Sequence, residues 1–494
     1  MGGVADLTVQ GPSALARRRM GDDDEVMDRL SALDAEFLHV EDGISHMHIA
    51  GVCVFGDPPP TPAQLAELIE AKLHLIPRYR QRVRTVPLDL GRPVWVSDPH
   101  FNLAYHLRHT ALPAPGDDAE LCDLMGRLMS QPLDRYRPLW EAWLVEGLSG
   151  GRWALIFKVH HCMVDGIAGV GLLSALLDVE ADVELPEPEP WSPEPEPSDV
   201  ARVLRSWSGL AGDTLGWARQ VPKALHDPIG AIRTAVGTGA GLVRFVSKLG
   251  ITPSLSIDGA IGPHRVWAHG AVELADIAVV RRALGGTVND VVLAAVTAGF
   301  RSLLLSGGDD LGTATVRTLV PVSVRGAEGG SISDNRVSAL LLDLPVHVAD
   351  PVERLRAVQS AMRTLKGSHM AGAAEVVTHA GDLVPPMLAE MATRLALRAM
   401  QHHPQHSIST VTTNVPGPQF PLYCLGREML EYLPFVPISY GIAIGTAILS
   451  YNGHVSFGVT GDYDTAPEVG TLVDAVLIGV DELVAAARNR SGRL

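Results

Sequence analysis

A proline-rich segment near the middle of the chain constrains the fold more than any other feature. It runs from Leu185 to Pro197 and reads Leu-Pro-Glu-Pro-Glu-Pro-Trp-Ser-Pro-Glu-Pro-Glu-Pro. Because proline lacks the backbone N–H that helices and sheets use, this segment is expected to form an extended, polyproline-like spacer. The sequence therefore predicts two folded halves joined by a linker.

The patterns on both sides of this linker favour an α/β fold. Helical and strand periodicities alternate in each half, which predicts two similar domains, each a mixed sheet flanked by helices. The predicted division is a disordered leader over 1–26, a first domain over 27–183, the linker and basic helices over 184–263, and a second domain over 264–494.

Six segments carry the clearest local patterns. Short apolar runs predict strands, apolar residues at helical spacing predict helices, and Asn-Gly between apolar flanks predicts a hairpin. The predicted elements are strands at Trp153–Val159, Val316–Val324 and Val337–Val346, helices at Gly166–Leu177 and Val288–Phe300, and a hairpin turn at Tyr451-Asn452-Gly453-His454.

The charge distribution excludes one class of partner and leaves another open. A formal net charge of -16 argues against nucleic-acid binding, which normally needs a basic surface. Residues 200–250 are the exception, with seven Lys or Arg against two Asp, and with Trp207 and Trp217. This stretch is either a set of amphipathic helices that lie on an anionic lipid surface or helices packed on the domain with solvated arginines.

Features of secreted or membrane-spanning proteins are missing. The arginines at 17–19 are followed by Gly-Asp-Asp-Asp-Glu, not by the apolar core of a signal peptide. The most apolar runs fall short of the ~20 residues that a spanning helix needs. The four cysteines, at positions 53, 122, 162 and 424, are too scattered for a disulfide framework or zinc knuckle. We expect a cytoplasmic protein with, at most, peripheral membrane contact.

The segment His160-His161-Cys162-Met163-Val164-Asp165-Gly166 carries the chemistry. A histidine on a strand-to-helix loop can remove a proton from a hydroxyl if it is neutral and correctly oriented. Asp165 could fix the loop, and Gly166 would leave room for a substrate. A metal site is disfavoured because adjacent histidine side chains diverge, whereas a purely structural histidine pair remains open on the local pattern alone.

The wider order of motifs resembles the wax ester synthase/diacylglycerol acyltransferase family, itself similar to chloramphenicol acetyltransferase and peptide-synthetase condensation domains. The likeness runs from about residue 30 to 483 and departs at Ser45-His46-Met47-His48, where Pro-Met-His is expected. It rests on the histidine segment together with Leu30-Ser31-Ala32-Leu33-Asp34-Ala35-Glu36-Phe37-Leu38, Pro138-Leu139-Trp140, Asn289-Asp290, Val320-Pro321-Val322-Ser323-Val324-Arg325, Asn335-Arg336-Val337-Ser338 and Thr413-Asn414-Val415-Pro416-Gly417-Pro418.

This resemblance implies a fold, a reaction and roles. The fold would be two chloramphenicol-acetyltransferase-like domains with an active-site tunnel between them. His161 would be the general base, His160 its support, Asp165 structural, and Gly166 would keep the channel open. The donor would be long-chain acyl-CoA and the acceptor diacylglycerol or a long-chain alcohol, with no further cofactor. Transfer would be direct, so Cys162 would be a small loop filler and not a nucleophile.

The remaining motif residues have functional or structural interpretations, and some have both. Pro138, Leu139 and Trp140 would shape the acyl pocket, or Trp140 is a buried anchor. Asn289 and Asp290 would supply part of the substrate and oxyanion site, or they cap a helix before Val291. The residues from Asn414 to Pro418 predict a rigid turn, and Arg325 and Arg336 are candidates for the CoA phosphates.

Two alternative functions remain open. One is a condensation-type enzyme that uses carrier-protein thioesters, although no carrier or adenylation domain adjoins the chain. The other is a non-catalytic protein of the same fold that coats neutral lipid through the basic segment. For a lipid acyltransferase and for a lipid-coating protein alike, we expect peripheral association with the inner face of the plasma membrane or with lipid inclusions.

Overall fold

Helices and strands alternate along the computed structural model, which describes residues 28–56, 58–87, 91–163, 175–203, 255–323, 337–367 and 408–491. The helices within these ranges are α1 (Ala32–Val40), α2 (Pro62–Lys72), α3 (Leu103–His106), α4 (Asp118–Met129), α5 (Leu274–Leu284), α6 (Val288–Ser306), α7 (Pro351–Gly367) and α8 (Val469–Ser491). The α/β prediction is confirmed.

The strands of the same ranges form two six-stranded sheets and one hairpin. They are β1 (His48–Phe55), β2 (Gln81–Arg84), β3 (Val94–Ser97), β4 (Leu107–Ala111), β5 (Trp140–Leu148), β6 (Arg152–His160), β7 (Arg265–Glu273), β8 (Val316–Ser323), β9 (Val337–Leu344), β10 (Thr410–Pro416), β11 (Tyr423–Cys424), β12 (Arg427–Phe435), β13 (Ile444–Tyr451) and β14 (His454–Asp462). β2 and β3 form a separate two-stranded sheet, and Val94 of β3 also forms a bridge with Arg29.

The first sheet has the order β11-β12-β1-β6-β5-β4. Its centre is an antiparallel pair in which His48 of β1 lies opposite His160 of β6. β11 and β12 come from the segment that the sequence assigned to the second domain, yet they complete the first sheet. Consecutive segments of the chain therefore do not correspond one to one with the two sheets.

The second sheet has the order β7-β14-β13-β10-β8-β9 and contains the predicted hairpin. β13 and β14 pair up to Tyr451 opposite His454, and the two residues between them have positive φ, 43° at Asn452 and 87° at Gly453. This is the backbone that a two-residue type I′ turn needs, and Asn-Gly adopts it at low cost.

The two faces of the first sheet pack against different helices. On β6, Phe157 and Val159 belong to an apolar cluster with residues of α2, whereas Ala154 and Ile156 belong to one with residues of α4. Because side chains alternate along a strand, the even-numbered His160 is on the α4 face as well. His161, one residue further, falls beyond the end of the strand.

Most predicted elements that the structure describes are present. β6, α6, β8 and β9 confirm the strand and helix predictions at those positions. α6 is long and apolar enough to cross a membrane. However, 67% of its most apolar 18-residue stretch is buried in the fold, so it serves as a core helix. The predicted turn at Asn414–Pro418 is wrong in its first part, because Asn414 to Pro416 continue β10.

Several predictions lie outside the described residues. These are the leader, Asp165, Gly166, most of the predicted helix at Gly166–Leu177, the basic segment beyond residue 203, and the two arginines at 325 and 336.

The proline-rich linker forms neither helix nor strand, as its prolines predict, but it is docked on the first half. Glu196 forms ion pairs with Arg82 and Arg84 of β2, at 2.6 and 2.8 Å, and with Arg202 at 2.8 Å. Trp191 lies under the guanidinium of Arg80, 5.1 Å from the ring centroid. The linker is thus a strap along the first half.

Candidate active site

The two histidines of the motif are held at the end of β6 by backbone hydrogen bonds. His161 to Met163 form a single 3₁₀ turn directly after the strand. The His161 amide donates to the Met47 carbonyl at 2.8 Å, and the Cys162 amide donates to Nδ1 of His160 at 3.1 Å. These contacts fix the backbone from which both imidazoles project.

The His161 imidazole is enclosed and uncharged. Its ring stacks on Phe37 of α1 with 4.0 Å between centroids, and its Nδ1 has no well-aligned hydrogen-bond partner among the described residues. Burial lowers the pKa of His161 to about 4, against an opposing contribution from its own backbone. At neutral pH the ring is therefore unprotonated and can accept a proton.

His160 faces a buried acid that the sequence analysis did not identify. Its Nε2 lies 3.4 Å from Oε2 of Glu41, whose Oε1 lies 3.0 Å from Nε2 of His48. Neither contact has the alignment of a full hydrogen bond. The guanidinium of Arg135 approaches Oε2 of Glu41 to 2.6 Å. An acid, two imidazoles and a guanidinium thus form one cluster beside the His161 turn, hereafter the Glu41 cluster.

Electrostatics fixes the charges in this cluster. Burial alone would raise the pKa of Glu41, but its contacts with His160 and His48 lower that pKa well below its usual range. Burial lowers the pKa of His48 to about 3, so His48 is neutral. Glu41 is consequently a carboxylate that orients neighbouring rings and is not a proton donor at neutral pH.

Lys158 closes the cluster on the α4 side. It is 1% exposed, and its Nζ donates to the carbonyls of Leu128 (2.8 Å) and Gln131, at the C-terminal end of α4. A cation at this end of a helix satisfies carbonyls that have no partner within the helix. Burial lowers the pKa of Lys158 to about 8. Lys158 therefore ties α4 to the strand that carries His160.

Within the Pro138-Leu139-Trp140 motif, the structure favours the interpretation of Trp140 as a buried anchor. The indole is 2% exposed, its Nε1 donates to the Tyr79 carbonyl at 2.9 Å, and its ring stacks on His106 at 4.6 Å. Leu139 is closer to the histidines, since its carbonyl accepts a hydrogen bond from the His160 amide at 2.9 Å. A role of the motif in the acyl pocket stays a prediction.

Asn289 and Asp290 lie in the first turn of α6, where Asp290 has a structural partner. Thr287 is the N-cap: its hydroxyl accepts from the Asp290 amide at 3.2 Å, and the Asp290 carboxylate accepts from the Thr287 amide at 2.8 Å. Asn289 Oδ1 accepts from Nδ2 of Asn414 at 3.1 Å. Within the described ranges, no hydrogen bond or ion pair joins either residue to His161, so their substrate role stays a prediction.

Cys162 has the properties of a packing residue. It is 4% exposed, and burial raises the pKa of its thiol well above the usual range, so the reactive thiolate is disfavoured. Among the residues that the structure describes, no group of His, Cys, Asp or Glu is arranged to hold a metal ion.

Comparison with known proteins decides the family. Residues 30–292 match the model of the wax ester synthase/diacylglycerol acyltransferase catalytic domain, and residues 333–483 match that of the WS/DGAT C-terminal domain. The chain belongs to the wax ester synthase/diacylglycerol acyltransferase family. It is an acyltransferase, and the resemblance seen in its motifs is confirmed.

Individual relatives of this family cover nearly the whole chain. A Mycobacterium tuberculosis protein named as a probable diacylglycerol O-acyltransferase is 35% identical over 467 residues, 94% of this chain and 97% of that one. The wax ester synthase/diacylglycerol acyltransferase from Marinobacter aquaeolei VT8 has a solved structure that is 27% identical and superposes with a TM-score of 0.65, covering 93% of this chain and 99% of that one.

A more distant solved structure shares the fold alone. The starter condensation domain of rhizomide synthetase, in complex with C8-CoA and Leu-SNAC, is 14% identical. It superposes with a TM-score of 0.52 over 94% of this chain and 95% of that one. The fold prediction, a pair of chloramphenicol-acetyltransferase-like units, is confirmed by these neighbours.

Proposed function

We propose that this acyltransferase moves a long-chain acyl group from acyl-CoA to diacylglycerol, with His161 as general base. The observation that carries the proposal is the state of His161, which is half-buried and neutral, with an Nδ1 that has no well-aligned partner among the described residues. Such a ring is poised to remove a proton from an acceptor hydroxyl.

The chemistry needs only one proton carrier. His161 takes the hydroxyl proton as the acceptor oxygen attacks the thioester carbonyl, and a tetrahedral intermediate forms. When the intermediate collapses, the C–S bond breaks and the imidazolium returns the proton to the leaving thiolate of CoA. The products are an ester and free CoA. The protonated state of the Cys162 thiol supports direct transfer without a covalent acyl-enzyme.

Long-chain alcohol is the second candidate acceptor. It is favoured by the Marinobacter relative, whose name includes wax ester synthase. Diacylglycerol is favoured by the mycobacterial relative, which shares more sequence with this chain. We therefore place diacylglycerol first and alcohol second.

We propose further that the protein binds peripherally to a lipid surface and acts there, either on the cytoplasmic side of the membrane or on lipid inclusions. Its support is the basic, tryptophan-bearing sequence at 200–250, which contrasts with the formal charge of -16 on the whole chain. Water-insoluble acceptors would be reached there without a membrane-spanning segment.

One experiment tests these points together. Thiol release from palmitoyl-CoA is measured with dioleoylglycerol or hexadecanol in neutral or anionic vesicles, for the wild type, His161→Ala, and His109→Ala as a control. We expect release that depends on acceptor, is greater with dioleoylglycerol and on anionic vesicles, and falls at least about 10²-fold in His161→Ala. His109 is an exposed histidine paired with Glu146, and its variant should match the wild type.

The possible failures are distinct. Equal release by His161→Ala and His109→Ala would reject the base. Thiol release with hexadecanol but not with dioleoylglycerol would make a long-chain alcohol the acceptor in place of diacylglycerol. Binding to vesicles without any thiol release would favour a lipid-coating protein.

A further inference from the structure

The second half of the molecule contacts a short turn that leads into the site, residues 41–47 between α1 and β1. This turn carries two groups that contact the histidines. At one end is Glu41, whose carboxylate faces His160 and His48. At the other end is Met47, whose carbonyl accepts the backbone hydrogen bond of His161.

Asp42 sets the shape of this turn. Its Oδ1 accepts hydrogen bonds from the amides of Ile44 (2.8 Å) and Ser45 (2.9 Å), and its own amide donates to the Ser45 carbonyl at 3.1 Å. This is the local pattern by which an aspartate side chain stabilises a turn. The turn is therefore held by hydrogen bonds from the Asp42 side chain.

Three contacts from the second half reach the same turn. The Tyr440 hydroxyl donates to Oδ2 of Asp42, and the hydroxyls of Ser439 and Ser45 are 3.1 Å apart. Arg265, which is 5% exposed, donates to the Ile44 carbonyl at 2.5 Å. All three link residues more than 200 positions apart, so they depend on the tertiary packing around this turn.

The geometry of the donor loop suits this attachment. Ser439 and Tyr440 lie on the connection from β12 in the first sheet to β13 in the second, and the Ile442 amide donates to the Ser439 carbonyl at 2.9 Å. Gly441 has φ of 75°, which lets this tight turn project Tyr440. Burial and the neighbouring Asp42 raise the pKa of Tyr440 to about 12, so its hydroxyl remains a donor.

We infer that Tyr440 is a positioning residue for acyl transfer, acting through Asp42 on the turn that holds Glu41 and Met47 against His160 and His161. It touches neither histidine. The inference rests on the proposed role of His161 and adds that the base is aligned only when the second half is docked against the first.

The test is a double-mutant cycle in which acceptor-dependent thiol release from palmitoyl-CoA is measured with dioleoylglycerol. The variants are Tyr440→Phe, Asp42→Asn, the two combined, and Tyr463→Phe as a control. Tyr463 is another tyrosine of the second half, 57% exposed. Loss of one hydrogen bond to a charged group should lower kcat of Tyr440→Phe about tenfold, with KM for palmitoyl-CoA unchanged.

Coupling is the decisive result. If Tyr440 acts through Asp42, the combined variant should lose no more than about tenfold, whereas independent effects would multiply to about a hundredfold. Circular dichroism melts establish that each variant is folded at the assay temperature. If Tyr440→Phe is not, Ser439→Ala replaces it, and a smaller fall in kcat at constant KM is expected.

Three outcomes would overturn the inference: Tyr440→Phe as active as Tyr463→Phe, a rise in KM at unchanged kcat, or multiplied losses in the combined variant. A wild type that releases no acceptor-dependent thiol would reject the proposed function, and the positioning role with it. An active wild type with an unaffected Tyr440→Phe would reject only the positioning role.

Discussion

Two short polar motifs of this chain differ in whether their polar atoms have hydrogen-bond partners in the fold. At the end of β6, the half-buried His161 ring has a buried Nδ1 that lacks a well-aligned partner among the described residues. At the start of α6, the Asp290 carboxylate accepts a hydrogen bond from the Thr287 amide at 2.8 Å. An unpaired buried polar atom costs free energy, whereas a capping residue stabilises its helix. The difference separates a group available for chemistry from one already used by the fold.

The Glu41 cluster gives the largest effect expected within this comparison. Glu41→Gln keeps the shape of the side chain but removes the charge that orients His160 and His48. Because an interaction with a buried charged group is typically worth about 1.5 to 3 kcal/mol, we expect kcat to fall by about 10- to 100-fold, with little change in KM for acyl-CoA. Thiol release at saturating acceptor measures it.

The matched control is Glu146→Gln. Glu146 also pairs with a histidine, His109 at 2.9 Å, but both side chains are more than a third exposed. Equal activity in the two variants would show that the buried cluster does not support His161.

The smaller effect should come from the start of α6. Asp290→Ala removes the reciprocal hydrogen bond of the capping box, so the free energy of unfolding should fall by about 1 kcal/mol. Urea denaturation followed by circular dichroism measures this change. Because Asp290 is engaged with Thr287, kcat should remain within about twofold of the wild type. A large loss of kcat at unchanged stability would instead restore the substrate role that the sequence suggests.

Sequence patterns predicted the local elements well where one physical cause dominates. The Asn452-Gly453 hairpin follows from the positive φ values that its turn needs, and α6 follows from helical periodicity. The turn predicted at Asn414 failed because β10 continues through it, paired with β13. Pairing with a distant strand overrode local turn propensity there.

Long-range features were beyond the reach of the sequence. Nothing local shows that β12 joins the first sheet, since the pairing of β1 with β12 spans more than 370 positions. Glu41 was missed for a similar reason. An acid just after a short helix usually faces solvent, and only the folded structure brings it to His48, His160 and Arg135. The position of His161 itself was predictable, because a buried strand leads directly into it.

The most direct test of the account is the pH dependence of kcat/KM for acyl transfer. Since the neutral ring is the base, the rate should fall as pH falls through the pKa of His161, which burial lowers to about 4 from an ordinary 6.5. We therefore predict constant kcat/KM from pH 7 to about pH 5.5 and half-loss near the lowered pKa, with circular dichroism confirming folded protein at each pH. Half-loss near pH 6.5 would show a solvent-exposed base and contradict the account.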